Sequence, residues 1–200
     1  MNIRLSSFRT TTLRTCVSVL LAAFLVGCED QSTASTATSG TSEDGAIAAP
    51  SVDLHTAVVA GDVAVVKAHI AAGSDLNVAE PFGGSSPLIS AALFGQTEIA
   101  IVLIDAGADL DVTNGDGSTA LHTAAFFGRP QIVDALLQHG VNTTIKNNYG
   151  STAYDSVAAP FDQVKPFYDA IGQSLAPMGL KLDYEQLKTV RPVIAAKLQL

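Results

Sequence analysis

The sequence predicts an all-α protein built as a solenoid, and three observations carry that expectation. Leu54, Leu88 and Leu121 open similar stretches 34 and 33 residues apart, and Tyr154 follows after another 33. Gly61, Gly95 and Gly128 keep this spacing, and so do Gly73, Gly107 and Gly140. Between the glycines, apolar residues recur every three to four positions. A fixed period near 33 with two helices per unit marks a stacked array. No unit of such an array buries its apolar face alone, so the neighbours supply the core.

Each element follows from local chemistry. Residues 116–144, "DGSTALHTAAFFGRPQIVDALLQHGVNTT", read as turn, short helix, turn, longer helix, turn. Residues 85–111 are a near copy and residues 54–77 a looser one. Ser86 can cap a helix whose first turn holds Pro87. Pro130 does the same for the second helix of the third unit. Ala91, Ala92, Ala124 and Ala125 let paired helices approach closely. Ile99, Val102 and Leu103, then Ile132, Val133, Leu136 and Leu137, have the spacing of a buried stripe. Gly107 and Gly140 suit the left-handed residue that ends a helix.

The motifs resemble the ankyrin repeat. "SSPLISAALFG" and "STALHTAAFFG" match the family's T-P-L-H-x-A-A-x-x-G, and "LIDAGADLD" and "LLQHGVNTT" match its L-L-x-x-G-A-D-x-N. The resemblance covers residues 51–158, as units 51–83, 84–116, 117–149 and a partial 150–158. It implies an ankyrin-repeat solenoid of helix-turn-helix units with hairpin fingers. Departures are specific. Ala120 stands where the motif has Pro and Ile89 where it has His, and the first unit lacks the Thr-Pro pair and reads as a cap. The fourth unit, "GSTAYDSVAA", begins properly and then loses the pattern.

Residues 159–200 place Val164, Phe167, Tyr168, Ile171 and Leu175 at helical spacing, with Pro177 and Gly179 as an interruption. Tyr184, Leu187, Val193, Ile194 and Leu198 resume the pattern. Two or three short helices capping the last repeat are expected, because an open solenoid end exposes apolar surface. A separate peptide-binding element is the other reading of this segment.

The N-terminus has a different character. Arg4, Arg9 and Arg14 precede an apolar run of 11 residues at 16–26. That run is too short for a bilayer, which takes about 20 residues, and it suits a signal peptide. Leu25-Val26-Gly27-Cys28 resembles a bacterial lipobox, so residues 1–27 are expected to leave and Cys28 to carry lipid. One acyl chain holds a membrane weakly and more than one is needed for stable anchoring; the resemblance implies a multiply acylated Cys28. Glu29 follows, not the Asp that in enteric bacteria favours inner-membrane retention, so a periplasm-facing anchor in the outer membrane is expected. Residues 28–50 are rich in Ser, Thr and Ala and read as a tether, of reach roughly 25 Å as a flexible coil.

The chain has 11 basic and 19 acidic residues, a net charge of −8. Three arginines leave with the leader and no acidic residue does, so the net charge becomes −11. This repels phosphate backbones and argues against a nucleic-acid partner. A basic protein is the better electrostatic match.

His55 and His122 fall on the motif's His, whose role in ankyrins is hydrogen bonding between turns. His139 precedes a helix-ending Gly. No histidine pair has i, i+4 spacing, so no metal or haem site is expected. "DLDVTNGDGST" fails as a calcium loop, since Asn114 and Ala120 stand where Gly and Glu are required. Nucleophile-elbow and phosphate-loop motifs are absent. No catalysis and no cofactor are expected.

In ankyrin complexes, partners meet the finger tips and the short first helices on the concave face. The matching positions here are Phe82, Asn114, Asp116, Asn148 and Tyr149 on the fingers, and Leu93, Phe94, Phe126 and Phe127 at the ends of first helices. Phe94 and Phe126 admit two roles, anchoring a partner or packing on the neighbouring unit. The expected function is a membrane-tethered protein–protein interaction module in the bacterial envelope. Two rivals stay open: an immunity-type inhibitor of an envelope toxin, and a periplasmic stress-protection factor assisting a redox or haem enzyme.

Overall fold

The computed structural model describes residues 47–199, so the expectations for the leader, Cys28 and most of the tether lie outside the described residues. Among the described residues the regular elements are helices: α1 Leu54–Ala60, α2 Val63–Ala71, α3 Pro87–Phe94, α4 Thr97–Asp105, α5 Ala120–Phe126, α6 Pro130–Gln138, α7 Asp155–Ala158, α8 Phe161–Leu175, a 3-10 turn Ala176–Met178, and α9 Tyr184–Leu198. None of them is long and apolar enough to cross a membrane.

The caps explain the starts. The Asp53 carboxylate accepts from the Thr56 N–H at 2.9 Å and the Asp62 carboxylate from the Val65 N–H at 3.0 Å. Ser86 caps α3 with Pro87 in its first turn, and Pro130 opens α6. Thr119 and His122 cap α5 reciprocally. The inner helices α1, α3, α5 and α7 stack in one row. The outer helices α2, α4 and α6 stack behind them. Leu54, Leu88 and Leu121 are buried at the start of each inner helix, and Ala91, Ala92, Ala124 and Ala125 are fully buried between the rows. Methyl-sized side chains at those four positions allow the close approach that the pattern predicts.

The turn glycines join successive units. Gly95 lies at φ 71, and a Cβ there would sit 2.7 Å from the Arg129 guanidinium carbon. That guanidinium donates to the Leu93 carbonyl at 3.3 Å, while the Gln96 amide reaches the Val59 carbonyl at 3.5 Å. The Val59 and Leu93 carbonyls, at the ends of α1 and α3, thus take their donors from the next unit.

The fourth unit is completed from a distance. The inner helix α7 has only four residues. Ala159 is extended at ψ 142 because it precedes Pro160. The outer place is then filled by α9, which packs on α5, α6 and α7. Ile194 of α9 is buried in the same core as Ile132 and Leu136, and Lys197 pairs with Asp134 of α6. The segment between α7 and α9, holding α8 and the 3-10 turn, is an insertion within this pair. Of the stripe expected in α8, only Tyr168 is fully buried, and Val193 of α9 is 52% exposed.

Candidate interaction surface

The fingers repeat one device with three different residues. Glu80, Asn114 and Asn147 are spaced 34 and 33 apart. The Glu80 carboxylate accepts from the backbone N–H groups of Phe82 at 2.7 Å and Ser85 at 3.3 Å. The Asn114 side-chain oxygen accepts from Asp116 at 3.0 Å and Ser118 at 2.9 Å. That of Asn147 accepts from Tyr149 and Ser151, both at 3.1 Å. A side chain that bonds its own turn in this way fixes the tip. Neighbouring fingers are then stitched together. Gly115 N–H donates to Gly83 O at 2.8 Å, and Asn148 N–H to Asp116 O at 2.9 Å.

Two expected partner-facing residues are therefore used within the chain. Asn114 closes its own finger, and the Asn148 amide donates to Gly115 O at 3.0 Å. A Cβ at Gly117 would lie 2.7 Å from the Asn148 side-chain oxygen, which shows how closely the two fingers sit. Sequence reasoning missed Glu80 and Asn147 as the equivalents of Asn114. The signal was their common period of 34 and 33, hidden because Glu and Asn look unrelated.

What the pinned turns present is a row of tip residues at equivalent positions: Phe82, Asp116 and Tyr149. Phe82 is 79% exposed and Tyr149 is 52% exposed. The Tyr149 hydroxyl donates to the Asp116 carboxylate at 3.3 Å. Asp75, Asp109 and Asp111 are exposed at the bases of the fingers. Asp111 accepts there from the Asn142 N–H at 3.0 Å, as Asn77 does from the Asp109 N–H at 2.8 Å. Residues 51–158 hold eleven acidic and three basic side chains, a balance of −8. Residues 159–200 hold four and five, a balance of +1. Within residues 51–200 the acidity thus resides in the repeats.

Phe126 takes the packing role of the two expected for it, and Phe127 packs with it. Phe127 is buried, and Phe126 stacks on Tyr168 of α8 with ring centroids 4.6 Å apart at 28°. Tyr168 also meets the Phe127 ring edge-on and the Phe161 ring face-on, at 6.5 and 5.8 Å. Its hydroxyl donates to the Phe126 carbonyl at 2.5 Å, the position equivalent to Val59 and Leu93. One guanidinium nitrogen of Arg191 donates to that hydroxyl at 2.6 Å. Leu93 and Phe94, one unit earlier, are half-buried. Burial pushes the Tyr168 phenol up to about 12, with Arg191 acting in the opposite sense.

Arg191 is 2% exposed. It donates to the carbonyls of Ser156 at 3.4 Å, Val157 at 3.2 Å and Ala159 at 2.9 Å. The guanidinium therefore caps the C-terminus of α7, where a cation is favoured by the helix dipole. No carboxylate is needed for it.

Three of the histidines sit where turns meet. His55 contacts Val78 O at 2.9 Å, and His122 contacts Ser151 O at 3.0 Å across to the next finger. His69 links Val52 O and Ser74 at 2.8 and 2.9 Å. Burial holds the His122 imidazole below its ordinary range, partly offset by its bond to Ser151 and by Asp155. Hydrogen bonds from Thr56 and Thr152 hold Asp53 and Asp155 below the usual carboxylate range.

Residues 54–147 match the family model for ankyrin repeats in three copies. These are ankyrin repeats. A search among curated proteins finds no match to the chain. Ankyrin repeats form protein–protein interaction modules and are generally non-catalytic. The geometry follows that logic, because the ankyrin units convert polar side chains into turn fixtures and leave apolar and acidic groups at the tips.

Proposed function

We propose that the chain is a lipid-tethered module that holds a basic protein partner at the bacterial envelope, through the finger tips and the adjacent concave face. The observation that carries the reading is the tip row. Phe82 and Tyr149 offer exposed rings with Asp116 between them, above exposed Asp75, Asp109 and Asp111. An aromatic face attracts a Lys or Arg side chain by about 0.5–2 kcal/mol, and a neighbouring carboxylate adds to it. Acidic surroundings also steer a basic partner on approach. Leu93 and Phe94 extend the contact inward.

The tether rests on sequence: a basic leader, an apolar run of 11 and Leu25-Val26-Gly27-Cys28. Cys28→Ala should release the protein from membranes. Retention after a mild salt wash would remove the lipid from the account. For the partner, the lipidated chain is crosslinked in its own envelope and purified beside a Phe82→Ala, Tyr149→Ala double variant. One dominant basic protein, lost in the double variant, supports the reading and locates the face. A partner kept by the double variant contradicts the placement, and no partner in either sample contradicts the module.

A further inference from the structure

The last repeat carries an element that the solenoid does not require. Helices α7 and α9 complete the fourth pair between them, with Ile194 in the common core and Lys197 bound to Asp134. Helix α8 is looped out of that pair. It begins after Pro160 and is followed by a 3-10 turn ending at Gly179, whose φ of 90 is left-handed. One residue of its fifteen, Tyr168, is buried. Pro166 inside the helix removes one backbone donor.

What α8 covers is a binding-like surface. Phe126 and Phe127 meet edge to face at 5.1 Å. Phe126 is half-buried like its equivalent Leu93 one unit earlier, whereas Phe127 is buried where Phe94 is half-buried. Tyr168 fills this patch as a ligand would. It inserts one ring against two and gives its hydroxyl proton to an inner-helix carbonyl. It also accepts from a buried cation. Insertions in repeat proteins map to one face, often the binding face.

We infer that α8 is a displaceable lid over the Phe126–Phe127 patch, and that the patch takes a helical segment of another protein bearing a tyrosine in the place of Tyr168. The occupant's chemistry follows from the site. It must bring an aromatic ring to stack on Phe126, and a hydroxyl that donates to the Phe126 carbonyl while accepting from Arg191. Opening breaks the Tyr168 stack on Phe126 and its hydrogen bonds with the Phe126 carbonyl and Arg191, which an incoming tyrosine would remake, and it also costs the Phe161–Tyr184 ring contact, the Asp169–Tyr184 hydrogen bond of 2.8 Å and the Lys188–Phe161 contact of 5.5 Å. The inference does not rest on the finger tips, since the patch lies at the C-terminal end of α5, one unit on from Leu93 and Phe94.

The test uses the full chain. Native hydrogen exchange should show α8 amides exchanging at least about tenfold faster than buried α9 amides, as expected of a unit that opens by itself. Equal protection of the two helices would overturn the lid. A labelled peptide of residues 161–178 is then titrated into the wild type and into Tyr168→Ala. Binding at least about tenfold tighter to Tyr168→Ala, and lost when Phe126→Ala is added, is the expected result, because the wild-type patch is already filled. Equal binding to both proteins, or global loss of protection in Tyr168→Ala, would overturn the proposal.

Discussion

The repeats and the C-terminal region solve the same problem with different materials. In the repeats, inner-helix carbonyls are satisfied by ordinary polar side chains of the next unit, Gln96 for Val59 and Arg129 for Leu93. The fourth unit has no such turn residue after its short inner helix α7. A tyrosine from an inserted helix takes that place at Phe126, and a buried arginine from α9 caps the shortened α7. The repeats are acidic at −8 with a core of aliphatic and alanine side chains, whereas the end is near neutral at +1 and aromatic. The difference teaches where each task is done. Stacking leaves Phe82 and Tyr149 exposed at the finger tips of the repeats, and the cap uses its aromatics to close the array.

The comparison breaks most readily at Arg191. Arg191→Ala leaves three backbone carbonyls and the Tyr168 hydroxyl without a donor, and each orphaned buried acceptor costs about 1–3 kcal/mol. A loss of about 4 kcal/mol in denaturant unfolding is expected. A loss below about 1 kcal/mol would mean that water replaces the guanidinium and that the cap does not depend on it.

In the repeats, Leu121→Ala should cost roughly 2–5 kcal/mol, as truncation of a buried leucine does. Leu121 is 1% exposed. A loss under about 0.5 kcal/mol would remove it from the stacked core.

A glycine pair separates the two regions directly. Gly107 at φ 86 has nothing within 4 Å of a built Cβ, so Gly107→Ala pays backbone strain alone, about 1 kcal/mol. Gly128 at φ 64 would place its Cβ 2.8 Å from Leu187 and Val190 of α9. Gly128→Ala adds overpacking to the strain, about 1–3 kcal/mol more. Equal losses for the two variants would show that α9 yields at no cost.

Much of this was legible in the sequence, and the boundary is physical. The period of the glycines and leucines fixed the helices and their stacking, because local capping and apolar spacing repeat three times. Ser86, Pro87 and Pro130 act where the pattern placed them. The finger pins escaped because Glu80 and Asn114 do one job with different side chains. Repeat position alone leaves Phe126 open between anchoring a partner and packing within the chain, and puts Phe127 at the end of the inner helix beside it. Tyr168, 42 residues further on, covers them, and no periodicity reports a contact made once. Arg191 was invisible for the same reason. A cation is read as surface until the carbonyls around it are known.

The smallest expected effect is electrostatic. The His122 imidazole is held below its ordinary range by burial, so the folded state favours the neutral form. Its stabilising contribution is therefore complete above the unfolded pKa of about 6.5 and is lost as pH falls through the folded value. Its Nδ1 accepts from the Thr119 N–H at 3.3 Å, a bond that protonation removes. The melting temperature should decline between pH 7.5 and pH 5, and less so in His122→Gln. Identical slopes for the two proteins would place the acid sensitivity elsewhere.

The most direct test of the account places a photoreactive side chain at position 82 on the first finger or at position 193 on α9, in the full chain within the cells that make it. Val193 is also well exposed, at 52%, so accessibility alone does not favour position 82. The account predicts one dominant adduct with a basic protein from position 82 and none from position 193. An adduct from position 193 alone would contradict it, and would make the cap, not the repeats, the surface that binds.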